Sequence, residues 1–298
     1  MTWQTATEPV QDEVEPDRLQ PEVRGSIPAS EITNAHAPRR PSRFLLRFFD
    51  FYLSLYVPFH FSGLRLAFAE RFPADTRPLI VVINHPSWWD PLTSILISRF
   101  MLRRADHYAP IDALSLPRHR ILGGLGLFPV EQGTPRGAVQ FLRAAQRVLA
   151  DRNAVLWLTP QGGFTDVRVR PVVFKSGLAS LIKRLDEVTV LPMAYEYTYW
   201  DEPKPEMLAC CGEPLRFRRG RREADAGEQV AAALTRAQDE LAGLASMRDP
   251  GLFTTVMAGK SGLRAMGRNV LTALRAEEYR GTAKGTPARS GYSGPGTP

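Results

Sequence analysis

The chain has very little cysteine: its 298 residues include two, Cys210 and Cys211, side by side. Two adjacent thiols cannot staple a fold, so a disulfide-framed secreted scaffold is excluded and a reducing environment is the easier reading. Long apolar runs are also missing, and none reaches the ~18–20 residues that span a bilayer. The opening MTWQTATEPVQDEVEPD is acidic and carries proline, so no secretory signal peptide is expected. The five histidines (His36, His60, His85, His107, His119) and the two cysteines show no metal-ligand spacing. There is no internal repeat, no G-x-S-x-G elbow of the serine hydrolases, and no recognised nucleic-acid module. Gly259-Lys260-Ser261 looks like the end of a phosphate-binding loop, but the glycine needed five residues earlier is replaced by Thr254.

Charge is present but unevenly spread. Residues 1–40 hold seven acidic residues and four arginines, a balance of −3, against +7 for the whole chain. The remainder therefore carries +10. The acidic segment has few large apolar residues and is expected to be a disordered tail. Residues 281–298 have eight Gly or Pro in eighteen positions and are expected to be a second disordered tail. Residues 41–280 remain as the folded body, long enough for a sizeable core. Its positive charge points to an anionic partner, whether a membrane surface, an acidic substrate or nucleic acid.

Within the body, RFLLRFFDFYLSLYV (43–57) predicts a helix ended by Pro58. Its polar residues Arg43, Arg47, Asp50 and Ser54 fall at spacings of 4, 3 and 4, one narrow stripe on an otherwise apolar and aromatic cylinder. Such a helix is either buried in a core or laid in a lipid interface. Leu79–Asn84 reads as a buried strand. A helix follows Asp90, with Asp90 as its cap and Pro91 in its first turn. Thr134-Pro135 repeats that start signal before a helix whose apolar residues are Val139, Leu142, Ala145 and Leu149. Ala154–Leu158 and Thr189–Tyr195 read as strands, Ser176–Arg184 and Ala226–Ala245 as helices, and Met207–Phe217 as an edge strand. Residues 250–275 carry Lys260, Arg264 and Arg268 four apart, either a basic membrane-surface helix or an ordinary solvated one. Alternating strands and helices imply an α/β fold, a single domain with a largely parallel central sheet flanked by helices. In such sheets ligands sit outside the carboxyl ends of the strands.

Two of these strand ends carry polar residues. The first is NHPSWWDP, Asn84 to Pro91, in which four residues separate His85 from Asp90. A histidine that can take a proton near neutral pH is a natural general base. A carboxylate can hold one imidazole nitrogen, leave the other facing substrate, and stabilise the imidazolium that forms. The nucleophile would then be the substrate's own hydroxyl. The plainer reading is a turn histidine beside a helix-capping aspartate. Trp88 and Trp89, inside the same segment, either wall a pocket or pack the strand–helix corner.

NHPSWWD resembles the H-x4-D motif of the glycerolipid and lysophospholipid acyltransferases, a 1-acylglycerol-3-phosphate acyltransferase-like family. Later blocks follow in that family's order. Gly126-Leu127-Phe128-Pro129 is similar to its second block. LTPQGGF (Leu158–Phe164) stands where the family has a phenylalanine–proline–glutamate–glycine–threonine–arginine run. FKSG (Phe174–Gly177) and VLPM (Val190–Met193) are similar to its phenylalanine–lysine and final proline segments. The resemblance covers about residues 75–215, roughly half the chain. It implies transfer of a fatty acyl group from acyl-CoA or acyl carrier protein to a lipid hydroxyl, with His85 deprotonating the acceptor and Asp90 orienting His85. It implies substrate contacts from Asn84, Ser87, Phe128, Glu131, Gln161, Gly162, Gly163, Lys175 and Pro192. It also implies an apolar groove for the acyl chain, no tightly held cofactor or metal, no nucleic-acid partner, and a peripheral or monotopic place on the cytoplasmic face of a membrane. The apolar helix at 43–57 would be the membrane-associating element.

The sequence departs from that pattern where the family binds an acceptor phosphate. The third block has Gln161 for the glutamate, Gly163 for the threonine and Phe164 for the arginine. The second block has Glu131 where an arginine is usual. A buried phosphate needs charge-assisted partners, best supplied by arginine, so the expected acceptor is a neutral lipid hydroxyl. The alternative is that Lys175, Arg168, Arg170 or Arg136 replaces the lost arginines. Two rivals remain: a catalytically silent lipid-binding protein, and an interfacial lipid hydrolase in which His85 activates water.

Overall fold

The computed structural model describes residues 38–113, 123–219 and 225–260, all within the compact unit His36–Pro298. The two tails expected at the ends fall outside these residues, apart from 38–40. Nine strands form one sheet: β1 Gly63–Ala67, β2 Leu79–Ile83, β3 Asp106–Asp112, β4 Leu127–Val130, β5 Ala154–Leu158, β6 Glu187–Thr198, β7 Glu206–Cys211, β8 Leu215–Arg218 and β9 Thr254–Ala258. The helices are α1 Arg43–His60, α2 Asp90–Met101, α3 Pro135–Ala150, α4 Gly177–Ile182 and α5 Ala226–Met247.

The strand order is β4-β3-β5-β2-β6-β7-β1-β9, with β8 paired to the start of β6. Strands β4, β3, β5, β2 and β6 are mutually parallel. From β6 onward the sheet turns mixed: β7 and β8 run antiparallel to β6, β1 parallel to β7, and β9 antiparallel to β1. The architecture is α/β with a largely parallel sheet, as the alternating elements imply.

Strand alternation divides the core. Leu79, Val81 and Ile83 of β2 face one side, where Leu53 and Val57 of α1 and Leu96 and Ile97 of α2 pack on them. Ile80 and Val82 face the other side, against Ala145, Val148 and Leu149 of α3 and Leu178 and Leu181 of α4. Ala237 and Leu241 of α5 cover β6 and β7 through Ala194, Leu208 and Cys210. Burying each large aliphatic side chain contributes about 1.5–3 kcal/mol, so the apolar β2, covered on both faces, is the natural centre of the domain. Cys210 and Cys211 point to opposite faces of β7, and burial pushes the Cys210 thiol up to about 12.

Several expectations need correction. Pro58 lies inside α1, which continues to His60 with the Phe61 N–H bonded to the Val57 carbonyl; a proline so near the end disturbs only the last turn. Asp90 is not the N-cap of α2. Trp89 holds that position without a side-chain bond. In α3, Thr134 does cap, accepting from Gly137 N–H, but Val139 is exposed and the buried stripe is Gly137, Ala144, Ala145, Val148 and Leu149. Met207–Phe217 is two strands, and β7 is fully buried because β1 and β9 close the sheet beyond it. Residues 254–258 form β9 rather than a helix, and residues 261–275 lie outside the described residues. Strands β1, β3 and β4 gave no apolar run to read: each is short, or interrupted by proline or charge.

Gly126, at the entry to β4, takes φ +93°, and a Cβ there would sit 2.1 Å from the His107 carbonyl oxygen. Gly126→Ala is expected to cost more than about 2 kcal/mol from left-handed backbone strain plus the clash. Denaturant unfolding should show it as a lower midpoint at unchanged slope. An unaltered midpoint would contradict this β3–β4 junction.

Candidate active site

Strands β2 and β5 are neighbours and parallel, so the polar segments that follow them emerge at the same sheet edge. At Ile83 the pairing of β2 with β6 stops, while β6 runs on to Thr198. Asn84 bridges the gap with its side chain. Its Nδ2 donates to the Tyr195 carbonyl at 2.9 Å and its Oδ1 accepts from the Tyr195 N–H at 2.7 Å. The carboxamide thus copies one more backbone unit of the ladder, and the main chain is released to turn.

Beyond the turn, His85 Nδ1 lies 2.6 Å from Asp90 Oδ2. The Asp90 side chain is 1% exposed and that of His85 20%. An ionised carboxylate only accepts hydrogen bonds, so Nδ1 carries the proton and Nε2 keeps its lone pair. No described residue bonds Nε2. Asp90 also accepts from the Ser87 N–H at 3.2 Å and from the Tyr197 hydroxyl at 2.8 Å. The backbone of His85 is held from the β5 side: its N–H donates to Gln161 Oε1 at 3.0 Å, and its carbonyl accepts from Thr165 N–H at 2.9 Å.

The segment after β5 folds over this pair. Gly162 takes φ +75°, and a Cβ there would strike the Lys175 side chain at 2.4 Å. The Lys175 ammonium lies 3.4 Å from the Gly162 carbonyl. The Phe164 ring stands 4.4 Å from the His85 ring, centre to centre, and is 62% exposed. Trp89 packs the corner against Tyr56 and Phe61, whereas Trp88 is 72% exposed.

The structure therefore brings His85, Asp90, Ser87 and Gln161 together, with Gly162 and Gly163 on the adjoining turn and the Lys175 side chain against it. It does not bring in the rest. Asn84 is buried and both ends of its amide are taken by Tyr195. Phe128 is buried in the core against the α3 side. Pro192 lies within β6, opposite Val82, below the sheet edge. Glu131 follows β4, three strand positions from β2, about 14 Å at the usual spacing. These four look like site residues in the sequence because they stand in or beside the blocks, yet they serve packing and pairing or lie apart. Tyr197 and Thr93, the latter 2.8 Å from the Tyr197 hydroxyl, escaped the sequence reading, since 107 positions separate Tyr197 from Asp90.

Asn84→Ala removes both partners of a buried backbone unit, worth about 2–4 kcal/mol in all. Thermal unfolding should register that loss, and Asn84→Asp should not restore it, because a carboxylate cannot donate to the Tyr195 carbonyl.

Residues 64–196 match the family model described as Acyltransferase. Among solved structures, the chain is similar to the 1-acyl-sn-glycerophosphate (LPA) acyltransferase PlsC from Thermotoga maritima, with 16% sequence identity and a TM-score of 0.47, over 67% of this chain and 79% of that one. No curated protein sequence matches. The matched span runs from β1 into β6 and contains the His85–Asp90 pair, Gln161 and Lys175. Over residues 64–196, somewhat under half of its length, the chain is thus similar to the acyltransferase family.

Proposed function

We propose that the protein is an O-acyltransferase that moves a fatty acyl group from a thioester, acyl-CoA or acyl carrier protein, to a lipid hydroxyl. The observation that carries the reading is the His85–Asp90 contact: a buried acceptor-only carboxylate holds Nδ1 and leaves Nε2 as an unoccupied base at a strand-end opening. Nε2 takes the proton of the acceptor hydroxyl as its oxygen attacks the thioester carbonyl. The C–S bond then breaks, the thiolate departs, and the imidazolium supplies its proton. Asp90 stabilises the imidazolium throughout.

The acceptor is proposed to be a neutral lipid alcohol. Of the cations that could replace the absent arginines, Arg168 is held in two bonds by Asp166. Arg170 is held by Asp239 and the carbonyls of Val167 and Val169. Arg136 stands in the first turn of α3, after β4, and Lys175, against the 161–164 turn, directs one of its N–H groups to the Gly162 carbonyl at 3.4 Å. The surface beside His85 is instead the Phe164 ring.

Access to lipid is proposed to come through α1. Phe44, Phe48, Phe51, Tyr52, Leu55 and Phe59 are exposed along one face, while Leu53 and Val57 bind the helix to the sheet and Asp50 pairs with Arg99 of α2. No described helix is long and apolar enough to cross a membrane. This geometry suits a helix lying in an interface, which we place on the cytoplasmic face.

Transfer of labelled acyl groups from both thioester donors to lysophosphatidate, other lysophospholipids and neutral lipid alcohols tests the activity. His85→Ala is expected to lower transfer by about 10²-fold or more, with neutral alcohols preferred. Efficient acylation of lysophosphatidate alone would overturn the acceptor reading. Fatty acid release without acceptor acylation would indicate a hydrolase, and no reaction a silent lipid binder. Separately, the triple variant Phe48→Ser, Phe51→Ser and Leu55→Ser should weaken co-sedimentation with phospholipid vesicles at least about tenfold, and unchanged binding would remove α1 from the interface.

A further inference from the structure

The second oxygen of Asp90 is held by a side chain from a different part of the chain. Tyr197, near the end of β6, places its hydroxyl 2.8 Å from Asp90 Oδ1. A phenol has one hydroxyl hydrogen, and an ionised carboxylate can only accept it. The contact with Thr93 Oγ1 at 2.8 Å therefore has Thr93 as donor, its hydrogen shared with the Trp89 carbonyl at 3.1 Å. The chain of bonds has one direction: Thr93 to Tyr197, Tyr197 to Asp90, with His85 and the Ser87 N–H donating from the other side. Burial first, and the charge of Asp90 second, hold the Tyr197 phenol well above its usual value, so it remains a donor across the working pH range.

We propose that Tyr197 is a positioning residue for the His85–Asp90 pair, fixing the carboxylate and sharing its charge so that its pull on the His85 proton is limited. The proposal rests on the reading of His85 as general base. A carboxylate that already accepts a hydroxyl bond attracts an imidazolium less strongly. Without that bond, the pair binds its proton more tightly, and less of His85 is neutral at a given pH.

Among the described residues, few other charges face the pair. From β6 come Tyr197 and Tyr195, the latter bonded to Ser94 rather than to Asp90. From the segment after β5, His85 meets the uncharged Gln161 and Phe164, with Lys175 drawn onto Gly162. From α1, Tyr56 and His60 stack on each other, and Tyr56 lies against the outer side of Trp89. Among the described residues, the Tyr197 hydroxyl is thus the side-chain donor, besides His85 itself, that touches the carboxylate.

The test is the titration of His85 by NMR in the full-length chain labelled at histidine, with His85→Gln to assign the signal, alongside the pH dependence of kcat/KM. In Tyr197→Phe the His85 midpoint is expected to rise by about 0.5–1 pH unit, and the acidic limb of kcat/KM to move up with it, so that activity falls more at pH 6 than at pH 8.5. Thr93→Val, which removes the donor behind Tyr197, should move both in the same direction by less, and it carries the test alone if Tyr197→Phe does not fold. Tyr195→Phe should leave the midpoint in place. A midpoint unmoved by Tyr197→Phe, or by Thr93→Val when that variant stands alone, or a loss of activity equal at every pH, would overturn the proposal. A shifted midpoint in a protein whose His85→Ala variant still transfers acyl groups would instead sink the base assignment and leave the Tyr197 bond standing.

Discussion

A carboxylate that is 1% exposed must find donors, because an unpaired buried charge costs several kcal/mol. Among the described residues Asp90 finds three, and they come from different places: the His85 imidazole and the Ser87 N–H in the β2–α2 loop, and the Tyr197 hydroxyl on β6. Much of the surrounding architecture can be understood as the means of delivering them. The Asn84 carboxamide extends the β2–β6 pairing by one unit and then lets the chain turn. The Gln161 side chain steadies the His85 backbone from β5. Helix α2 begins where it does because its first residue is tied down to the loop before it.

The His85–Asp90 pair was legible in the sequence because its determinants are local. A β-branched run ends in Asn84-His85, and a proline-marked helix starts five residues later, so strand end, turn and helix are all written within a dozen residues. The central strands β2 and β5, apolar throughout, were legible for the same reason. The outer strands were not: β3 carries Pro110 and β4 Pro129, and their pairing depends on neighbours distant in the chain.

The functional blocks mislead in a more interesting way. Phe128, Pro192 and Asn84 stand within segments that look like a site, yet two are core residues and the third bonds only backbone. A block in a sequence mixes residues that face the opening with residues that hold the opening in shape, and a single sequence does not separate them. Trp88 and Trp89 show the same division at adjacent positions: the inner one packs on Tyr56 and Phe61 while the outer one faces out. Tyr197 is the converse case. It reaches Asp90 only because β6 outlasts β2 by several residues, and nothing local to Tyr197 announces that.

Strand β6 belongs to two pairing systems at once. Up to Met193 its register is set by parallel β2, and from Met193 to Thr198 by antiparallel β7. Side chains alternate along it, so Tyr195 and Tyr197 share the face of α2 while Ala194 packs on the α5 side. Length therefore matters here as much as composition. One residue inserted between Met193 and Tyr197 would turn the phenol to the opposite face of the sheet, with no change in any residue of the H-x4-D segment. Loops elsewhere in the domain can lengthen without reaching Asp90, but this strand cannot. The count of residues from Pro192 to Tyr197 is therefore the measure that reveals whether another chain shares the arrangement.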